Sequence, residues 1–154
     1  MSLRAVFLAV LTTFALPAAV GAADEGKIVS VQARLAYEST GVFSVNIAPP
    51  SNFTAWNTII GEGDAREPAN DLFVSVTIRA ARKHFNGSTA LTLMLRSKKG
   101  RVIASRHFKG LFFRDETVVK NLYVQDAACL GEVDVSAEYG AAKVVHSLAL
   151  NCGE

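Results

Sequence analysis

From residue 29 onward apolar side chains recur at every second position, and a period of two leaves little room for anything but half-buried β-strands. Val29, Val31, Ala33, Leu35 and Tyr37 share one face of the first such run, with Ser30, Gln32, Arg34 and Ala36 on the other. Ser39-Thr40-Gly41 follows, then Phe43, Val45 and Ile47. A three-residue loop closed by glycine suits a hairpin whose last loop residue is left-handed. In that register Tyr37 faces Phe43, Leu35 faces Val45 and Ala33 faces Ile47, apolar against apolar throughout.

Two further hairpins follow from the same reasoning. Leu91, Leu93 and Leu95 lead through Lys98-Lys99-Gly100 into a run over 102–108, which sets Leu95 opposite Ile103, Leu93 opposite Ser105 and Leu91 opposite His107. Val133, Val135, Ala137 and Tyr139 alternate with Asp134, Ser136 and Glu138 and end at Gly140-Ala141. A two-residue loop that begins with glycine fits a type II′ turn. Val133 then faces Leu148, Val135 faces His146, Ala137 faces Val144, and Glu138 faces Lys143 on the wetter side. Leu72, Val74, Val76, Ile78 and Ala80 form another strand, and 117–124 one more, about eight in all.

No segment carries an amphipathic helical stripe, and no repeat of 20–50 residues is visible. The 154 residues suffice for one domain rather than two. The predicted fold class is therefore all-β: a single antiparallel β-sandwich, Ig-like, with a barrel as second choice. One Ig feature is missing, because Trp56 lies outside the interval between the two cysteines.

The N-terminus reads as an address. A short start containing Arg4, an apolar stretch over 5–16 and small residues after Pro17 describe a secretory signal peptide. Small residues at the −3 and −1 positions allow cleavage before Ala23 or before Asp24, and we take 1–23 as the signal and 24–154 as the domain. A retained anchor is the alternative, since 5–23 is just long enough to span a bilayer; Pro17 and Gly21 interrupt it. No later segment is long enough to cross. The expected location is secreted or periplasmic.

Export changes how the cysteines read. Cys129 and Cys152 lie in a chain bound for an oxidising compartment, and the last hairpin's register places them opposite one another, so a structural disulfide is expected. Counted from the turn the pair is hydrogen-bonded, the less comfortable site for a bridge, and a bulge at Gly131 would relieve it.

The alternation stops over 51–71. This connection holds the only Trp and the acids Glu62, Asp64, Glu67 and Asp71. Connections of such length without structure of their own are uncommon and often functional. Trp56 with Asn52, Asn57, Glu62 and Asp64 would suit a sugar or a peptide. The plainer reading has Phe53, Trp56, Ile59 and Ile60 plugging one end of the sandwich. An EF-hand pattern is not matched.

Charge is unevenly placed. Residues 79–120 carry 11 Lys/Arg against Asp115 and Glu116, net +9, while 24–71 and 121–154 are each net −4. Arg79, Arg82, Lys83, Arg96, Lys98, Lys99, Arg101, Arg106 and Lys109 are expected to make one face or one end positive. Arg96, Lys98 and Arg106 are assigned outward. Such a patch favours polyanions or an acidic protein; edge strands also carry cations merely to block aggregation. Nucleic acid is not expected, since no motif for it is present.

No nucleophile elbow, Walker loop, dinucleotide fingerprint or zincin motif occurs. His84, His107 and His146 are scattered, so no metal site is expected, and no cofactor is implied. Asn52-Phe-Thr and Asn86-Gly-Ser match the glycosylation acceptor pattern. The sequence points to an exported, non-catalytic binding or accessory domain that contacts an envelope component or a protein partner. A small secreted hydrolase or sugar-acting enzyme, using acids of the 51–71 loop, is the alternative.

Overall fold

The computed structural model describes residues 26–49 and 52–153; the 1–23 signal assignment lies outside them. Among the described residues nine strands follow in order: β1 Lys27–Ala36, β2 Asp71–Arg79, β3 His84–Asn86, β4 Leu91–Ser97, β5 Val102–Phe108, β6 Leu111–Phe113, β7 Thr117–Val124, β8 Gly131–Tyr139 and β9 Ala142–Leu150. Every ladder is antiparallel. A three-stranded sheet β1-β2-β7 opposes a four-stranded sheet β5-β4-β8-β9, and β3 pairs with β6 in a small separate sheet. With the short β3 and β6 set aside, this is an Ig-like sandwich in which the first, second and fifth long strands form one sheet and the fourth has joined the third, sixth and seventh in the other.

Alternation explains the core. In β2, Leu72, Val74, Val76 and Ile78 are fully buried, and Leu91, Leu93 and Leu95 of β4 and Val133, Val135 and Ala137 of β8 answer them from the other sheet. At about 25 cal/mol per Å² of buried apolar surface, this two-layer core is the main stabilising term. Among the described residues no helix is long and apolar enough to cross a membrane.

The β8–β9 hairpin keeps the expected register at every pair from Gly131↔Leu150 to Tyr139↔Ala142. Gly140 has φ +57° and no positive φ occurs at Ala141, as a type II′ turn requires. Cys129 and Cys152 are bonded, with Cα atoms 4.7 Å apart. Gly131 does not bulge. The ladder ends there, and Cys129 sits outside it in a turn at φ +63°.

Two expected registers are corrected. The first loop has four residues, not three: the Tyr37 N–H donates to the Val42 carbonyl, and Ala36 pairs with Phe43. One extra residue flips the parity, so Phe43 and Val45 are exposed and Ser44 is buried. The stretch 43–47 is consequently no strand, although Ile47 does face Ala33 and is buried. In the second hairpin Arg96 pairs with Val102 as counted, but a bulge at Ile103 shifts the rest. Leu95 meets Ala104, and Leu93 meets Arg106. A second bulge, between Ile28 and Ser30, turns Val29 out to 41% exposure.

Candidate functional site

Chain direction decides where the cations go. β4 runs from one end of the sandwich to the other, so basic residues before and after it are about 20 Å apart. Arg79, Arg82 and Lys83 lie at the end where β2 finishes, and Lys109 and Arg114 flank β6 at that same end. Arg96, Lys98, Lys99 and Arg101 cluster at the β4–β5 turn, the opposite end. The single positive face or end read from the sequence is therefore two separate groups.

The two groups differ in what they leave uncommitted. At the β4–β5 turn the Lys98 Nζ donates to Asp134 at 2.6 Å and to Ser147 at 2.7 Å. The Lys98 bond, and after it the one the Ser147 hydroxyl donates to Asp134, hold the Asp134 carboxyl below its ordinary range. Arg96 is turned onto Met94 Sδ and the Gly100 carbonyl. Lys99 and Arg101 line an open groove of about 710 Å³, but Glu132 shares it.

Arg106 is also corrected. It shares the inward face with Leu93, at an edge strand, and reaches across the open side of the sandwich to the Asn121 carbonyl at 3.2 Å. Its guanidinium lies 4.9 Å over the Phe108 ring, with Lys120 at 5.4 Å. The same shift turns His107 outward, where Nδ1 meets Thr92 Oγ1 at 3.0 Å. No group of three or more potential metal ligands occurs among the described residues.

At the other end the only ion pair among the described residues of the basic group is Lys83–Asp115, 3.5 Å apart with both side chains at least 70% exposed, an arrangement that contributes little. Between these cations lies a small amphipathic plate. Asn86, Leu111 and Phe113 of β3 and β6 are buried, while Phe85 and Phe112 stand at 66% and 63% exposure. They are direct cross-strand partners and so share one face. His84 stacks on Phe113 with centroids 5.0 Å apart.

Asn86 fastens this plate. Its amide donates to the Tyr139 hydroxyl at 2.9 Å, and its Oδ1 accepts the Ser88 and Thr89 N–H groups, each at 3.1 Å. A buried, committed amide is no glycan acceptor in the folded chain, unlike the exposed Asn52. Sequence reasoning missed Phe85 and Phe112. The alternation Leu111-Phe112-Phe113 carried a signal for the second, but nothing local pairs β3 with β6.

Two acids of the 51–71 connection bond within it, while Glu67 fastens it to the 38–41 loop and Asp71 bonds Tyr123 and the Asp126 N–H. Glu62 accepts from the Asn57 amide at 2.9 Å, and Asp64 accepts the Thr54 N–H at 2.6 Å. Glu67 accepts from Ser39 and Thr40, which hold its carboxyl below the ordinary range, Ser39 most strongly. Trp56 is 43% exposed, Ile59 46% and Ile60 61%. Of the four residues expected to plug the sandwich, only Phe53 packs against the core. Trp56 bridges to Asn151 and lies beside Gly153, next to Cys152. A cleft of about 310 Å³ opens along Phe53, Trp56, Leu148 and Asn151.

No protein-family model matches the chain, and no curated protein matches it in sequence. Among solved structures, a β-glucuronidase of Bifidobacterium dentium is similar at TM-score 0.41 and 9% identity, over 80% of this chain and 17% of that one. The C-terminal domain of wzt is similar at TM-score 0.45 and 9% identity, over 84% of this chain and 74% of that one. Neither likeness assigns a function to this chain.

Proposed function

We propose that this chain is an exported, non-catalytic binding domain that contacts an anionic component of the cell envelope through the β3–β6 end. One observation carries the reading. Arg79, Arg82, Lys83, Lys109 and Arg114 are exposed there together, and only Lys83 has a carboxylate partner among the described residues. Clustered cations of this kind raise the local concentration of anions and speed their capture. The disulfide supports an oxidising compartment. Against the hydrolase alternative weighs the use of Glu62, Asp64 and Glu67 as separate loop clips, since glycoside hydrolysis needs two carboxyls facing one bond.

Charge reversal tests it. A triple Arg82→Glu, Lys109→Glu, Arg114→Glu variant should lose retention on an immobilised soluble polyanion and on envelope extract. Lys99→Glu with Arg101→Glu, at the opposite end, should lose little. Equal retention of the triple variant and the wild type would end this reading. Hydrolysis of envelope glycans that disappears in Glu62→Gln or Asp64→Asn would restore the enzyme alternative.

A further inference from the structure

The β3–β6 end carries more than charge. Phe85 is the most exposed large apolar side chain among the described residues, and Phe112 the next. Their cross-strand pairing sets the two rings side by side on one surface. Phe85 is also held in place. A Cβ built on Gly87 or Gly110 would lie 2.8 Å or 2.9 Å from its ring, so the phenyl rests against two bare stretches of backbone. Beneath the plate, Leu111 and Phe113 are sunk in the core and Asn86 is tied to Tyr139. The result is a tip fastened to the core, with two phenyls outward and a collar of cations around it.

We propose, building on the reading above, that this tip docks on an anionic lipid surface. Phe85 and Phe112 enter the boundary between headgroups and acyl chains, and Arg82, Lys109 and Arg114 sit against the phosphates. Aromatic side chains ringed by cations are the residue types that settle at that boundary, and each nearby Lys or Arg adds attraction to an anionic leaflet.

Area argues against a protein occupant. Two partly exposed phenyls offer on the order of 250 Å² of apolar surface. A stable protein interface buries about 800 Å² per partner, somewhat more than half of it apolar, still well above what the two rings supply.

The test is co-sedimentation of the purified, disulfide-bonded protein with phosphatidylcholine vesicles, with and without phosphatidylglycerol, its mature N-terminus checked by mass spectrometry. Binding is expected only to the anionic vesicles. Phe85→Ser with Phe112→Ser should weaken it about tenfold, and the triple charge reversal about a hundredfold. Both phenyls are exposed, so the double variant should melt at the wild-type temperature. Retention on the soluble polyanion without vesicle binding would overturn the lipid proposal and leave the anion-binding reading standing. Loss of both would end both. Vesicle binding that survives removal of the phenyls, or self-association abolished by that change in the absence of lipid, would also overturn it.

Discussion

Ser44 meets Leu35 with both of its polar groups: its backbone N–H donates to the Leu35 carbonyl at 3.0 Å, and its Oγ accepts the Leu35 N–H at 2.9 Å. Both residues are at most 5% exposed. Two residues on, Asn46 Oδ1 accepts the Ala33 N–H at 3.0 Å, and the Ile47 N–H reaches the Ala33 carbonyl at 2.8 Å. Side-chain oxygens thus close the free edge of β1 where a regular strand would use carbonyls. Ser44→Ala removes the acceptor and leaves a buried N–H unpaired, which costs about 1–3 kcal/mol. Urea unfolding should show a lower midpoint at an unchanged slope; an unmoved midpoint would mean that another group takes the bond.

The same segment shows where the sequence ceased to be legible. In β8–β9 a two-residue turn leaves no freedom in the count, and all nine pairs follow from it. At Ser39-Thr40-Gly41 the loop takes in Glu38 as well, and a single residue exchanges Phe43 for Ser44 at the buried position. A polar residue that completes an edge looks, in one sequence, like a residue facing water. The bulge at Ile103 acts likewise and reassigns Arg106 and His107 together. Alternation also tells which face a cation takes, not which end. The separation of Arg82 from Lys98 depends on the direction of β4, and the union of Arg82 with Lys109 depends on the non-local β3–β6 pair.

Cys129 and Cys152 close a loop of about 24 residues, worth roughly 3.4 kcal/mol by chain entropy. Their bond also anchors the stretch where Asn151 accepts the Asn57 N–H at 2.7 Å and Gly153 lies against the Trp56 ring. Reduction should lower the melting temperature by about 10 °C. Since Trp56 is the only Trp, its emission should shift to the red before the rest of the fold melts. Identical melting curves with and without reductant would contradict a structural role for the bond.

Gly63 has φ +66°, and a Cβ there would stand 2.5 Å from the Thr54 carbonyl oxygen. That carbonyl accepts the Asp64 N–H at 3.1 Å while the Asp64 carboxylate accepts the Thr54 N–H. Gly63→Ala therefore strains the backbone and separates this clip, at a cost of about 1–3 kcal/mol. Because the clip lies within the 52–70 connection, local opening should precede global unfolding. Limited proteolysis should cut the variant between 52 and 70 under conditions that leave the wild type whole.

Asp134 gives the fold an acid-dependent contribution. The Lys98 ammonium, then the Ser147 hydroxyl, stabilise its ionised form and hold its native pKa below the ordinary 3.8. A depressed carboxyl pKa stabilises the fold above the unfolded value and loses that contribution as the pH falls through the native one. The loss accordingly begins near pH 3.8 and continues downward. With both side chains partly exposed, 42% for Lys98 and 31% for Asp134, the pair contributes about 0.5–1 kcal/mol at neutral pH. Asp134→Asn should be less stable than the wild type by that amount at pH 7, and the gap should shrink as the pH is lowered past the ordinary carboxylate range. Added salt should narrow it too. A gap that stays constant with pH would assign the loss to packing rather than to charge.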